Sequence, residues 1–158
     1  MVLAAQKGQL DIYTPASLAL AAGGPAIIAP AKTAKADFSR VLIAWNGGQE
    51  AARALHAAWP IITNADHVDV LIVSPGGLRG SEGALERHFE RHGVKPNIIL
   101  DESEDVVAGK ILRRQVEALS PDLVVMGLYG RSRMHELVLG GVSREMLSEP
   151  TVSLFVHH

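Results

Sequence analysis

The chain has 158 residues, of which 47% are hydrophobic but only 4% aromatic, and its formal net charge is −2. This length suffices for one domain whose core must be aliphatic and rich in alanine, and the small net charge argues against a non-specific nucleic-acid binder. The absence of cysteine excludes disulfides, thiolate metal sites and cysteine nucleophiles. No apolar run has membrane-spanning length, and no basic segment precedes an apolar one at the start, so the sequence predicts a cytoplasmic protein without a membrane partner.

The first part of the chain contains short elements separated by turn residues. Residues 1–5 have the composition of a strand, and residues 14–21 predict a short helix because Thr14 can cap it and Pro15 takes its first position. Residues 25–30 form a short apolar run with proline at both ends, which favours a strand at the edge of a sheet. A polar linker, residues 31–37, follows.

From residue 40 onward, apolar strand patterns alternate with helical ones. The predicted strands are 41–45, 68–73, 97–100, 122–126 and 151–156, and the predicted helices are 49–62, 81–92, 103–119 and 142–147, the third capped by Ser103. Apolar strands that alternate with helices are typical of a parallel sheet covered on both faces. The sequence therefore predicts an α/β fold, a five-stranded parallel sheet with helices on both faces, plus an extra edge strand from the N-terminal segment.

A glycine-bearing loop follows the fourth of these strands. The apolar run ends at Gly127, Gly130 follows after two residues, and Gly140 after nine more, just before the predicted helix 142–147. A glycine loop that opens onto a helix can direct several backbone N–H groups at one phosphate. The alternative is ordinary turn chemistry, because glycine after a strand is common.

The spacing G-x2-G-x9-G resembles the nucleotide-binding signature of the universal stress protein family, and residues 40–158 resemble that family strand for strand. The family signature ends in Ser or Thr where this chain has Gly141, although Ser143 stands two residues on. The resemblance implies a Rossmann-like sheet of the adenine nucleotide alpha hydrolase type. It also implies that the strands 41–45 and 122–126 are neighbours at the point where the strand order reverses.

The same resemblance implies a set of nucleotide-binding residues. Asn46 stands where the family usually has Asp, so it keeps a hydrogen-bonding side chain but loses the charge; its other possible role is that of a turn or capping residue. Trp45 either lines the pocket or fills it, and Val73 either frames the base or is plain core. The full set is Ala44, Trp45, Asn46, Val73, Met126, Gly127, Gly130, Arg131, Ser132, Gly140, Gly141, Val142 and Ser143.

The resemblance implies that ATP or AMP, with Mg²⁺ or Mn²⁺ bridging its phosphates, acts as a regulatory ligand of a homodimer in stress response. No catalytic base can be named and the P-loop lysine pattern is missing, so at most slow ATP hydrolysis is expected and no catalytic residue is assigned. The alternative is a nucleotide-free dimerisation module with a degenerate pocket, which the departures at Asn46 and Gly141 favour. An enzyme that uses an unrecognised site is a third possibility.

The resemblance also implies a domain organisation. Residues 1–37 resemble the tail of a preceding universal stress domain plus a linker, and residues 38–158 form the domain itself. The alternative is an extension specific to this chain. In either case, residues 25–29 are expected to pair with 151–156, within one chain or between the two chains of a homodimer.

One pair of histidines has a spacing that could indicate a metal site. His88 and His92 lie four apart on the predicted helix 81–92, a spacing that can hold a metal on one helical face. No third ligand is evident from the sequence, so we expect a solvated face and no metal site.

Overall fold

The computed structural model describes residues 2–4, 21, 23–30, 37–73, 82–103, 107–128 and 141–158. Its elements, in chain order, are β1 Val2–Ala4, β2 Ala26–Ala29, β3 Arg40–Trp45, α1 Gln49–Ile62, β4 His67–Val73, α2 Glu82–Arg91, β5 Asn97–Asp101, α3 Ala108–Leu119, β6 Leu123–Gly127, α4 Val142–Ser148 and β7 Ser153–His157. The helix predicted at 14–21 lies outside the described residues except for its last position. None of the helices in the described ranges is both long and apolar enough to cross a membrane.

All seven described strands belong to one sheet with the order β1-β2-β7-β6-β3-β4-β5. The strands β3 to β7 are parallel to one another, whereas β2 runs antiparallel to β7. β3 lies directly beside β6, with Val41 opposite Leu123 and Ala44 opposite Met126. The predicted α/β fold, with five parallel strands and an added strand from the N-terminal segment, is confirmed, as is the predicted adjacency of these two strands.

The edge position predicted for residues 25–29 is wrong, because β2 is an inner strand; the edge strand that the N-terminal segment supplies is β1. β1 pairs with it on one side and β7 on the other, with Ile28 opposite Leu154 within the same chain. Pro25 and Pro30 both lie just outside β2 and therefore remove no hydrogen bond from either ladder. The predicted pairing of the segments 25–29 and 151–156 is found here in its within-chain form.

The sheet carries a separate hydrophobic cluster on each face. The α1/α2 face combines one set of strand residues with the apolar stripe of α1 and with Leu85 and Phe89 of α2. The α3/α4 face combines the alternate strand residues with Ile111 and Leu112 of α3 and Met146 of α4. Since both faces are covered, the inner strands read as continuous apolar runs rather than as alternating ones.

The start of α3 differs from the prediction. The helix begins at Ala108, with Val107 as its N-cap, so Ser103 does not cap it. The Ser103 N–H donates instead to Asp101 Oδ1 at 3.0 Å, which closes a turn at the end of β5. Hydrogen bonds from Ser103 lower the pKa of Asp101, so this carboxylate is committed to the turn.

Candidate functional site

A cavity opens at the carboxyl ends of the central strands. In the sheet, β4 and then β5 lie beyond β3 on one side, whereas β7 lies beyond β6 on the other. The strand order therefore reverses between β3 and β6. Ligands of open α/β sheets bind at this kind of position. The cavity has a volume of about 120 Å³ and is lined by Ala44, Trp45, Asn46, Ala51, Leu71, Val73, Ala108, Leu112, Met126, Gly127, Val142 and Ser143.

Most of the residues predicted for a nucleotide site lie on the wall of this cavity. They are Ala44, Trp45, Asn46, Val73, Met126, Gly127, Val142 and Ser143. Gly141 is the N-cap of α4 and directly precedes Val142. The remaining predicted residues, Gly130, Arg131, Ser132 and Gly140, lie outside the described residues. The sequence reasoning did not find Ala51, Leu71, Ala108 and Leu112, which are ordinary core residues by type and reveal their place only in the folded chain.

The wall of the cavity is mainly apolar, and most of its residues lie on the α3/α4 face. Ala44 and Val73 pack against the cluster of that face, to which Met126 belongs. Trp45 follows Ala44 in β3 and packs against the opposite cluster, because successive side chains of a strand point to opposite faces. Trp45 therefore borders the cavity without filling it. Within the described part of the chain, its indole Nε1 is buried and has no hydrogen-bond partner.

Gly127 is explained by packing. A methyl group at this position would lie 2.6 Å from the backbone nitrogen of Ala51 and 2.6 Å from the carbonyl carbon of Glu50. Only glycine therefore allows the first turn of α1 to approach the end of β6 this closely. The first glycine of the G-x2-G-x9-G spacing thus brings α1 to the edge of the cavity.

Asn46 combines the two roles that the sequence left open. Its Oδ1 accepts a hydrogen bond from the Gly48 N–H at 2.9 Å, which makes it a turn residue at the start of α1. It also lines the cavity. The turn uses the side-chain oxygen, so the two N–H donors of the amide remain for a ligand that carries acceptors.

Three helices begin at the cavity. Ala51 in the first turn of α1, Ala108 at the start of α3, and Val142 and Ser143 at the start of α4 all lie on its wall. The N-cap residues of these helices, Gly48, Val107 and Gly141, make no side-chain capping bond. The positive ends of three helix dipoles therefore meet at one place, where they favour a negatively charged group.

Glu50 is a polar residue of this region that the sequence reasoning missed. It stands in the first turn of α1, between the cavity residues Asn46 and Ala51, and its Cβ lies against Gly127. Its Oε2 is buried and has no hydrogen-bond partner among the residues that the structure describes. An acidic residue in the first turn of a helix is common, so nothing in the sequence marks this one as unusual.

The two histidines of α2 lie away from the cavity. His88 is partly buried, in edge contact with Trp59 and with His56 of α1 at ring-centroid distances of 5.3 and 5.4 Å, so the expected solvated face is wrong for this residue. Its ring also lies 5.0 Å from that of His92. Burial, together with the charges of His92, His56 and Arg91, lowers the pKa of His88. Among the described residues, no group of three or more His, Cys, Asp or Glu side chains could hold a metal ion.

Comparison with known proteins identifies the fold. No protein-family model matches the chain, and no curated protein matches it. Among solved structures, it is similar to a universal stress protein from Archaeoglobus fulgidus, with a TM-score of 0.68 and 19% identity over 84% of this chain and 50% of the other. It is also similar to the universal stress protein UspA from Lactobacillus plantarum, with a TM-score of 0.55 and 15% identity over 78% of this chain and 100% of the other.

A third similar structure is a universal stress protein in complex with cAMP, with a TM-score of 0.50 and 14% identity over 78% of this chain and 99% of the other. The fold and the cavity define an α/β protein whose open site lies at the topological switch point. More narrowly, the chain has the fold of the universal stress proteins. It spans half the length of the Archaeoglobus fulgidus chain.

Proposed function

We propose that this chain is a universal stress protein-type domain that binds an adenine nucleotide as a regulatory ligand. The observation that carries the proposal is the apolar cavity at the switch point, where α1, α3 and α4 begin without capping side chains. An apolar pocket accepts a flat base, and uncapped helix starts attract phosphate. The two parts of the site thus match the two parts of a nucleotide.

The volume of the cavity suggests how a nucleotide divides between these parts. At about 120 Å³, it is smaller than the roughly 300–1,000 Å³ of pockets that enclose a whole drug-sized ligand. In the proposal, the base enters between Ala44, Val73 and Met126, and the ribose and phosphates lie outside. The backbone of 141–143, with the predicted residues Gly130, Arg131, Ser132 and Gly140, holds the phosphates.

The choice of an adenine nucleotide rests on the family resemblance and on the cAMP complex of a protein with this fold. ATP and AMP both suit the proposal, with Mg²⁺ or Mn²⁺ bridging the phosphates where there are several. Mg²⁺ commonly binds through phosphates and only one or two carboxylates, so no dedicated protein cage is needed. No described residue is placed as a general base, and the proposed output is therefore a change of conformation or assembly rather than turnover.

The second candidate function is a nucleotide-free dimerisation module, which the glycine cap of α4 favours because a hydroxyl donor is missing at Gly141. Both sides of β7 are occupied within one chain, by β2 and by β6. A homodimer joined through these strands would therefore exchange β2 between two copies of the chain. The homodimer and the cytoplasmic location stay predictions.

Native mass spectrometry during titration with AMP, and with ATP in the presence and absence of Mg²⁺, tests the proposal. We expect about one nucleotide per chain, and the same spectra report the number of subunits. Thermal unfolding provides a second measurement, since a ligand at a hundredfold excess over its Kd stabilises the folded state by about 2.7 kcal/mol. A protein that stays empty at millimolar nucleotide would contradict the proposal and leave the dimerisation module.

A further inference from the structure

The strand β5 forms one edge of the sheet and is open along its outer side. Among the described elements it pairs only with β4, so the other side presents backbone N–H and C=O groups that have no strand partner there. Asn97 and Leu100 are exposed and the rest of β5 is half-buried, whereas four of the five residues of the inner strand β6 are buried. Leu100 is 48% exposed, although it is a large hydrophobic residue.

The other places where a second chain could extend the sheet are less suitable. The segments predicted to join two chains, 25–29 and 151–156, are already paired within one chain, and β7 has β6 on its other side. The opposite edge of the sheet is β1, which has three residues where β5 has five. Because a longer ladder makes more backbone hydrogen bonds, β5 is the better template for an added strand.

The two ends of β5 carry opposite charges. Lys95 lies two residues before the strand, and Asp101 and Glu102 lie at its end. Arg114 Nη2 already contacts Asp101 Oδ2 at 3.1 Å, so Glu102 leaves this end with a net negative charge. Parallel pairing with a second copy would bring like charges together, whereas antiparallel pairing brings each basic end to the acidic end of the other copy.

Two-fold symmetry and the hydrophobic pattern define the register of such a pair. In an antiparallel pair of identical strands, one residue faces its own copy, and a centre at Ile99 pairs β5 along its whole length. Leu100 then faces Ile98 of the second copy. Ile98 packs against the cluster of the α1/α2 face, and Leu100 lies on the same face two residues on, so apolar side chains cover the exposed leucine.

We propose that the outer side of β5 is a self-association surface, which pairs antiparallel with β5 of a second copy about a two-fold axis at Ile99. The sheets of the two copies then join into one. This inference goes beyond the proposed function, because the pairing needs no nucleotide, and it differs from a homodimer that exchanges β2. A five-residue ladder forms a small interface, so we expect a reversible dimer with a micromolar Kd.

Sedimentation velocity without nucleotide, from about 1 to 500 µM protein, tests the inference across the expected range of Kd. We expect a concentration-dependent equilibrium between monomer and dimer. Leu100→Lys would place a charge against Ile98 of the second copy and should raise the Kd by about tenfold or more. Lys95→Glu, which puts like charges at the two ends of the pair, should raise it by about threefold.

Val107→Lys is the matched control. Val107 is the other large hydrophobic residue of the described chain that is exposed, at 38%, and it lies outside β5 at the N-cap of α3. V107K should therefore keep the Kd of the wild type. Thermal unfolding of each variant checks that it folds.

The lack of cysteine in the chain allows the register to be tested by disulfide formation. In Ile99→Cys the two introduced thiols face each other, and Cα atoms of directly opposed residues lie about 4.5–5.5 Å apart, within the range of a disulfide. In Leu100→Cys the two thiols stand diagonally, about 7–8 Å apart. With diamide as the oxidant, I99C should therefore form a covalent dimer faster than L100C.

Three results would overturn the inference. The first is a wild type that stays monomeric over the whole concentration range. The second is a dimer that L100K leaves intact, which would point to exchange of β2, or one that V107K weakens equally. The third is faster disulfide formation in L100C than in I99C. The titrations with AMP and ATP test the proposed function separately, so failure of one does not decide the other.

Discussion

The two faces of the sheet close in different ways. On the α1/α2 face, large rings fill the space between the helices, as in the contact between Trp59 and the fully buried Phe89 at 5.3 Å. On the α3/α4 face, small side chains such as Ala44 and Ala108 meet at the carboxyl edge and leave the cavity open. The same sheet therefore carries a closed core on one side and a recess on the other. The recess depends on the lack of large side chains at wall positions such as 44 and 108.

The largest expected effect comes from a change at the point where α1 meets the cavity edge. Gly127→Ala would place a methyl group 2.6 Å from backbone atoms of Glu50 and Ala51, which cannot rotate away as a side chain can. Overpacking of this kind typically costs 1–3 kcal/mol, and we expect a loss near the upper end, about 3 kcal/mol, with loss of nucleotide binding. Chemical denaturation and calorimetry measure the two effects.

Gly83→Ala is the matched control for this change. Among the described residues, its methyl group would meet only the flexible end of Arg87, with Nη1 at 3.3 Å, within the helix α2. Because alanine is the better helix former, G83A should be neutral or stabilising by about 0.5–1 kcal/mol. Equal stability of G127A and G83A would show that the close approach of α1 to β6 is not needed.

The second-largest expected effect comes from a change between α3 and α4, the two helices that border the cavity on the α3/α4 face. A methyl group at Gly109 of α3 would lie 2.8 Å from Cβ of Glu145 and 3.4 Å from Cα of Val142, both in α4. The side chain of Arg113 joins the same helices through Glu145, with Nε to Oε1 at 3.1 Å. Gly109→Ala should therefore push α4 outward and destabilise the fold by about 1 kcal/mol, with weaker nucleotide binding. Unchanged binding in G109A would mean that the placement of α4 does not matter for the site.

A third change tests the difference between the two faces by filling the cavity of the α3/α4 face. Ala44→Leu adds apolar volume to the cavity wall, where space is available, so we expect a change in unfolding free energy of less than about 1 kcal/mol. Since the base would lose its space, AMP affinity should fall by about tenfold or more. Ala118→Leu, at an exposed position of α3, should leave the affinity unchanged. An A44L protein that binds AMP like the wild type would place the nucleotide elsewhere.

Local pattern predicted the elements well but not their contacts. The helix predicted at 49–62 has these bounds in the structure, and the run Leu123–Gly127 forms a strand because its apolar side chains are buried on both faces. The inner position of β2 was missed because flanking prolines say nothing about which strands lie on either side. Glu50 was missed because the burial of its Oε2 arises only when the chain folds.

The smallest expected effect is on the closed face and depends on pH. The ring of His88 lies against the rings of His56, Trp59 and His92. Its Nε2 is buried without a hydrogen bond to any described residue, and Arg91 adds a further positive charge. Burial and these charges lower the pKa of His88, so the unfolded chain binds its proton more tightly than the folded protein does. The contribution to stability is therefore complete above the unfolded pKa of about 6.5 and is lost as the pH falls through the folded pKa.

His88→Gln should flatten the part of the stability profile that lies below about pH 6.5, because the variant has no group to protonate there. Urea denaturation at a series of pH values measures the profile, and an NMR titration of the His88 ring follows the proton directly. If the ring titrated above about pH 6.5, the sign of the pH dependence would reverse, and burial would not be the dominant influence on His88.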